Sequence, residues 1–161
     1  MPDQSIAQFA VAGLLTLSIA TAPAVAQAQA IEVTNAWARA TVPAQKTAGA
    51  YLDIRSRDAA RLVGVLSPQA DVSEIHHTVH EGGVVKMQPV KAIDLPPGQT
   101  VRLAPGGYHI MLVGLRSQLK RGDSLPLTLR VAGADGKLRE IEVKVEVREP
   151  TATDGKSTHR H

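Results

Sequence analysis

Residues 125–148 read LPLTLRVAGADGKLREIEVKVEVR. Leu125, Leu127, Leu129 and Val131 alternate with Pro126, Thr128 and Arg130. After a short break, Ile141, Val143, Val145 and Val147 alternate with Glu142, Lys144 and Glu146. A period of two puts each apolar set on one face of an extended strand. The break itself, Ala134-Asp135-Gly136-Lys137, carries the Asp-Gly pair that favours a tight hairpin turn. The segment therefore reads as two antiparallel strands with one oily face, which must be covered by another layer.

Working back toward the N-terminus, the same texture repeats. Short apolar segments are separated by turns such as Pro96-Pro97-Gly98 and Pro105-Gly106-Gly107. Strands are predicted over Ile31–Arg39, Ala48–Ser56, Arg61–Leu66, Val72–Val79, Val84–Val90, Thr100–Leu103, Tyr108–Leu115, Leu125–Ala132 and Leu138–Arg148. Nothing in this region has a helical period. Many short strands with frequent turns indicate an all-β fold, a β-sandwich or a Greek-key barrel.

The N-terminal segment is of another kind. Phe9 to Ala26 reads FAVAGLLTLSIATAPAVA, an apolar run ending in small residues, and Ala24-Val25-Ala26, Ala26-Gln27-Ala28 and Ala28-Gln29-Ala30 each fit a small-x-small cleavage pattern. Residues 1–30 are expected to be an export signal, although the leading ten residues hold Asp3 and no Lys or Arg. The alternative, an uncleaved anchor, is disfavoured because Thr16, Ser18, Thr21 and Pro23 thin the run below a full span of about 20 residues. Residues 31–148 then form one domain, and 149–161 a polar flexible tail. A periplasmic location follows, with no stable membrane insertion after cleavage.

Composition narrows the function further. Lys and Arg total 18 against 15 Asp and Glu, and Asp3 is the one charge in the first 30 residues, so the remainder is near +4. The basic residues are scattered, and aromatics are 2% of the chain, too few for a base-stacking platform. Nucleic acid is not an expected partner. There is no cysteine. That removes disulfides, thiolate metal sites and the blue-copper type of centre. No Ser-His-Asp order or phosphate loop is present, so enzymatic activity is not expected.

Soft-metal chemistry must then rest on methionine. Of three methionines, one is Met1. Met111 lies two residues from His109 on a predicted strand, so imidazole and thioether share a face. Met87 and His76 flank Glu81-Gly82-Gly83; a hairpin there opposes residues whose numbers sum to about 163–165, bringing the pair directly or diagonally together. Thioether sulfur favours Cu(I) over zinc, magnesium or calcium, and imidazole suits copper too. A strand Met is more often packing than ligand, so three readings stand at this point: a copper carrier, a copper-dependent redox enzyme, and a metal-free interaction module.

At these four residues the chain resembles the periplasmic copper chaperone family PCuAC, whose pattern is His, ten residues, Met, twenty-one residues, His, one residue, Met. His76, Met87, His109 and Met111 fit that spacing. The flanking Glu74-Ile75-His76, Val85-Lys86-Met87 and Pro105–Leu112 strings, with Ala38-Arg39-Ala40-Thr41 and Gly49-Ala50-Tyr51, are similar as well. The resemblance implies a cupredoxin-like Greek-key β-sandwich holding one Cu(I) through His76, Met87, His109 and Met111. It also implies delivery to the CuA centre of cytochrome c oxidase or to another copper chaperone. A monomer is expected. A further Met common in the family falls near Thr78 and is missing here. His77, His80, His159 and His161 are possible auxiliary ligands, with exposed loop or tail histidines as the plainer alternative.

Overall fold

The computed structural model describes residues 30–149. The expected signal over 1–30, all but its last residue, and the tail beyond Glu149 lie outside the described residues. Ten strands make up the domain: β1 Ile31–Arg39, β2 Thr47–Ser56, β3 Ala60–Leu66, β4 Ala70–Glu81, β5 Val84–Pro89, β6 Ile93–Leu95, β7 Thr100–Leu103, β8 Tyr108–Leu115, β9 Ser124–Gly133 and β10 Leu138–Arg148. The nine predicted strands are all present. The tenth, β6, escapes a periodicity reading because three residues before Pro96-Pro97 are too short to show one. No described helix is long and apolar enough to cross a membrane.

The ladders run β5-β4-β8-β2-β1-β10-β9-β3-β6, with β7 also on β2. The sheet curls into an all-β sandwich whose inner faces enclose one core. From β9 come Leu125, Leu127, Leu129 and Val131, and from β10 Val145 and Val147. Ala50, Leu52 and Ile54 on β2, Ile75 on β4, and Ile110 and Leu112 on β8 face them. Each buried Leu or Ile contributes roughly 1.5–3 kcal/mol by leaving water. With so few aromatics, these aliphatics hold the two layers together. The β9–β10 hairpin pairs Leu138 with Ala132 through Glu146 with Ser124, as the alternation requires. A parallel pairing of Trp37–Arg39 with Glu146–Arg148 joins the first and last strands.

Two local features position the outer face of β2, β8 and β4. Gly82 and Gly83 both have positive φ, 57° and 79°, the geometry of a two-residue hairpin turn between twisted strands. On β1 the register on β2 slips by one residue between Thr34 and Trp37. Asn35 takes φ 51° there, and its side-chain amide donates to Asp53 Oδ2 at 2.8 Å. Arg102 Nε donates to the other Asp53 oxygen at 3.1 Å. This bulge re-aims the strand and sets Trp37 against Tyr51, ring centroids 4.5 Å apart.

Candidate metal centre

On β4, β8 and β2, one parity feeds the core and the other faces outward. Ile75, Ile110, Leu112 and Ala50 point in; His76, His109, Met111 and Gly49 belong to the outer set. The β4–β8 ladder places His76 directly across from His109 and Glu74 across from Met111. The β4–β5 ladder sets Thr78 across from Met87 and His76 across from Pro89, a register sum of 165. Met87 is therefore diagonal to His76 on one side, and Met111 diagonal to it on the other. Diagonal neighbours stand roughly 7 Å apart, within reach of long side chains. All four residues thus occupy one face of three adjacent strands, centred on His76.

The two imidazoles are close, with ring centroids 5.8 Å apart. His109 is 4% exposed. Its Nδ1 lies 3.0 Å from the Gly107 carbonyl. A carbonyl only accepts, so Nδ1 carries the proton and Nε2 keeps a free lone pair. That Nε2 is buried and has no hydrogen-bond partner among the described residues; the same is true of His76 Nδ1. His76 Nε2 is 2.9 Å from Glu74 Oε2. A buried nitrogen left without a partner costs roughly 1–3 kcal/mol, and two side by side fit a site built for something that accepts lone pairs. Burial is the main influence pushing His109 below the ordinary histidine pKa. The Gly107 bond opposes it, and the neighbouring His76 and His77 reinforce it.

Tyr51 walls one side. Its ring centroid is 6.5 Å from that of His109, and it folds back over Gly49, where any Cβ would meet its hydroxyl. Gly49 is itself the partner of Met111 on β2. The opposite side is open: Met87 is 56% exposed, and every residue of β5 is exposed. Among the described residues, no three His, Cys, Asp or Glu side chains are placed to share a metal. The donor set here is two imidazoles and two thioethers, which suits a soft monovalent ion better than a hard one.

The other histidines fall elsewhere. His77 belongs to the opposite parity and stacks on Tyr108 at 4.3 Å. His80 is exposed and, four residues along β4, stands about 13 Å from His76. His159 and His161 lie outside the described residues. The supporting groups around the imidazoles, Glu74, the Gly107 carbonyl and Tyr51, are not evident from ligand spacing. Their signal is the same two-residue offset that pairs His109 with Met111: Glu74 precedes His76 by two, and Gly107 precedes His109 by two.

The fold is a small all-β domain similar to solved PCuAC domains. A copper-bound PCuAC domain from PmoF2 is 26% identical, with a TM-score of 0.59 over 75% of this chain and 94% of that one. The Cu(I) form of DR1885 from Deinococcus radiodurans is 33% identical, with a TM-score of 0.56 over 77% of this chain and 83% of that one. Residues 31–147 match the family model described as "Putative lipoprotein LpqE-like", and the chain belongs to this LpqE-like family. A relative from Leifsonia xyli subsp. xyli, described as "Putative lipoprotein Lxx21020", is 35% identical over 74% of this chain and 72% of its own length.

Proposed function

We propose that this protein is an exported copper chaperone that carries one Cu(I) as cargo on His76, Met87, His109 and Met111. The observation that carries the reading is the pair of buried nitrogens without a described partner, His76 Nδ1 and His109 Nε2, on rings at directly paired positions of β4 and β8, with a thioether diagonal to His76 on either side. The copper-bound and Cu(I) forms of its structural neighbours support it. The lipoprotein descriptions of its relatives support export to an extracytoplasmic compartment, the periplasm.

A carrier must release its ion. A thioether on an exposed edge strand is one that an incoming ligand can displace first, which suits stepwise exchange to a client. The client class is a copper-dependent assembly such as the CuA centre of cytochrome c oxidase, or another copper chaperone. Two thioethers stabilise Cu(I) against Cu(II), which favours carriage over redox turnover. Titration of Cu(I) against a competing chromophoric chelator tests the reading. One equivalent bound by the native protein, and lost in a His109→Ala, Met111→Leu double variant, is the expected result. Failure of the native protein to compete for Cu(I) would overturn it.

A further inference from the structure

The ladder that pairs His76 with His109 leaves one question of chemistry open, namely which nitrogen each ring offers. For His109 the Gly107 carbonyl answers it. For the His76 ring the one hydrogen-bond partner among the described residues is Glu74, and the geometry points to this carboxylate as the positioning residue of the site. We infer that Glu74 holds His76 in the tautomer that presents Nδ1, so that Cu(I) is met by Nδ1 of His76 and Nε2 of His109. This rests on the copper reading above and adds a residue to it.

First, an ionised carboxylate can only accept, so at the 2.9 Å contact the proton of a neutral ring resides on Nε2. The lone pair is then on Nδ1, the buried atom that has no partner among the described residues. A neutral imidazole can hold its proton on either nitrogen, and a ring without Glu74 loses the acceptor that fixes it on Nε2. Second, Glu74 and His76 are two apart on β4, so the carboxylate lies on the same outer face and reaches the ring along the strand. Third, Glu74 is the direct partner of Met111 on β8. It therefore neighbours both a ring and the strand position of a thioether of the candidate ligand set, where a carboxylate offsets the charge of a cation held by four neutral donors. The imidazole side chain is 13% exposed and the carboxylate 47%. The ring is thus fixed inside while the acid stays in contact with water.

The two rings are then asymmetric by construction. One is oriented by a backbone carbonyl and donates through Nε2; the other is oriented by a carboxylate and donates through Nδ1. Partners of this type, hydrogen-bonded to a ligand rather than to the metal, typically change metal affinity 10–100-fold when removed.

The test is carried out on the whole protein, labelled with 15N at histidine, above the histidine titration range. Long-range nitrogen–proton correlation spectra of the metal-free native protein should show His76 protonated at Nε2 and His109 at Nδ1. In Glu74→Ala the His76 pattern should move to a mixture or to the other tautomer while His109 stays as it was, and Cu(I) affinity should fall 10–100-fold. Glu74→Gln, which keeps an accepting oxygen without the charge, should recover the tautomer and part of the affinity. The inference is overturned if native His76 already carries its proton on Nδ1, or if Glu74→Ala leaves both the spectrum and the affinity unchanged. A native protein that fails to bind Cu(I) would sink the copper reading instead. The metal-free spectra would still decide whether Glu74 sets the tautomer.

Discussion

The β4–β8 ladder and the β4–β5 ribbon share a strand, yet they hold their side chains in opposite ways. On the β8 side, His109 is buried, its ring is fixed by the Gly107 carbonyl, and Tyr51 walls it in. On the β5 side, all six residues are exposed and Met87 has water around it. The core explains the difference. Strand β8 alternates between the outer face and Ile110 and Leu112 inside, so each candidate ligand has a packed neighbour on either flank. Strand β5 has no buried residue to anchor it and depends on its pairing with β4 and on the Gly82-Gly83 turn. One half of the candidate site is therefore built before copper arrives, and the other half is accessible to a partner.

The largest effect should come from breaking the anchored side. Ile110→Ala, at a fully buried position, should cost about 2–5 kcal/mol in denaturant unfolding, whereas Val85→Ala on the ribbon should stay within about 0.5 kcal/mol. Comparable costs at the two positions would erase the contrast. Next, His109→Ala should weaken Cu(I) binding by more than about 100-fold, beyond the usual range for a group that touches only a ligand. Met87→Leu should weaken it by roughly tenfold, or about 1.4 kcal/mol, with little change in unfolding. If Met87→Leu proves the more damaging of the two, the exposed strand and not the buried ring dominates the site.

Gly83→Ala probes the ribbon without touching a ligand. An added Cβ there has open space, but φ is +79°, and an L-residue pays about 1–2 kcal/mol for that conformation. The expected outcome is a loss of that size or less in ribbon stability, read as faster amide exchange across β5 with β9 and β10 unaffected.

The pH dependence sharpens the other half. The folded pKa of His109 lies below the ordinary 6.5, so between those two values the unfolded chain binds a proton that the folded chain does not. Stability from this residue is complete above about 6.5 and is lost as pH falls through the lowered folded value. A thermal melt series should show this decline, and His109→Leu should flatten it. The smallest effect is chemical: mild peroxide should convert Met87 to its sulfoxide faster than the half-buried Met111, as read by peptide mass spectrometry.

Much of this was open to reading in the sequence. Alternation at Leu125–Val131 and Ile141–Val147 defines β9, β10 and the face that builds the core, because a period of two is a local property. The His109–Met111 pair and the hairpin register across Gly82-Gly83 are local as well, and the observed sum of 165 falls within the expected 163–165. What sequence alone leaves open is the meeting of β4 with β8, which join distant parts of the chain. The short β6 is hidden for lack of length. Glu74 and the Gly107 carbonyl were within reach of the same two-residue rule. Their contacts, however, depend on how each ring turns about its side-chain bonds, and spacing says nothing about that. The Tyr51 wall depends on the bulge at Asn35 and on the bare backbone of Gly49, both tertiary matters.

The most direct test of the account is X-ray absorption of the protein loaded with one equivalent of Cu(I), alongside its Met87→Leu variant. The account predicts a mixed shell of two nitrogen and two sulfur neighbours in the native protein and the loss of one sulfur in the variant. A native shell made of nitrogen and oxygen alone would contradict it.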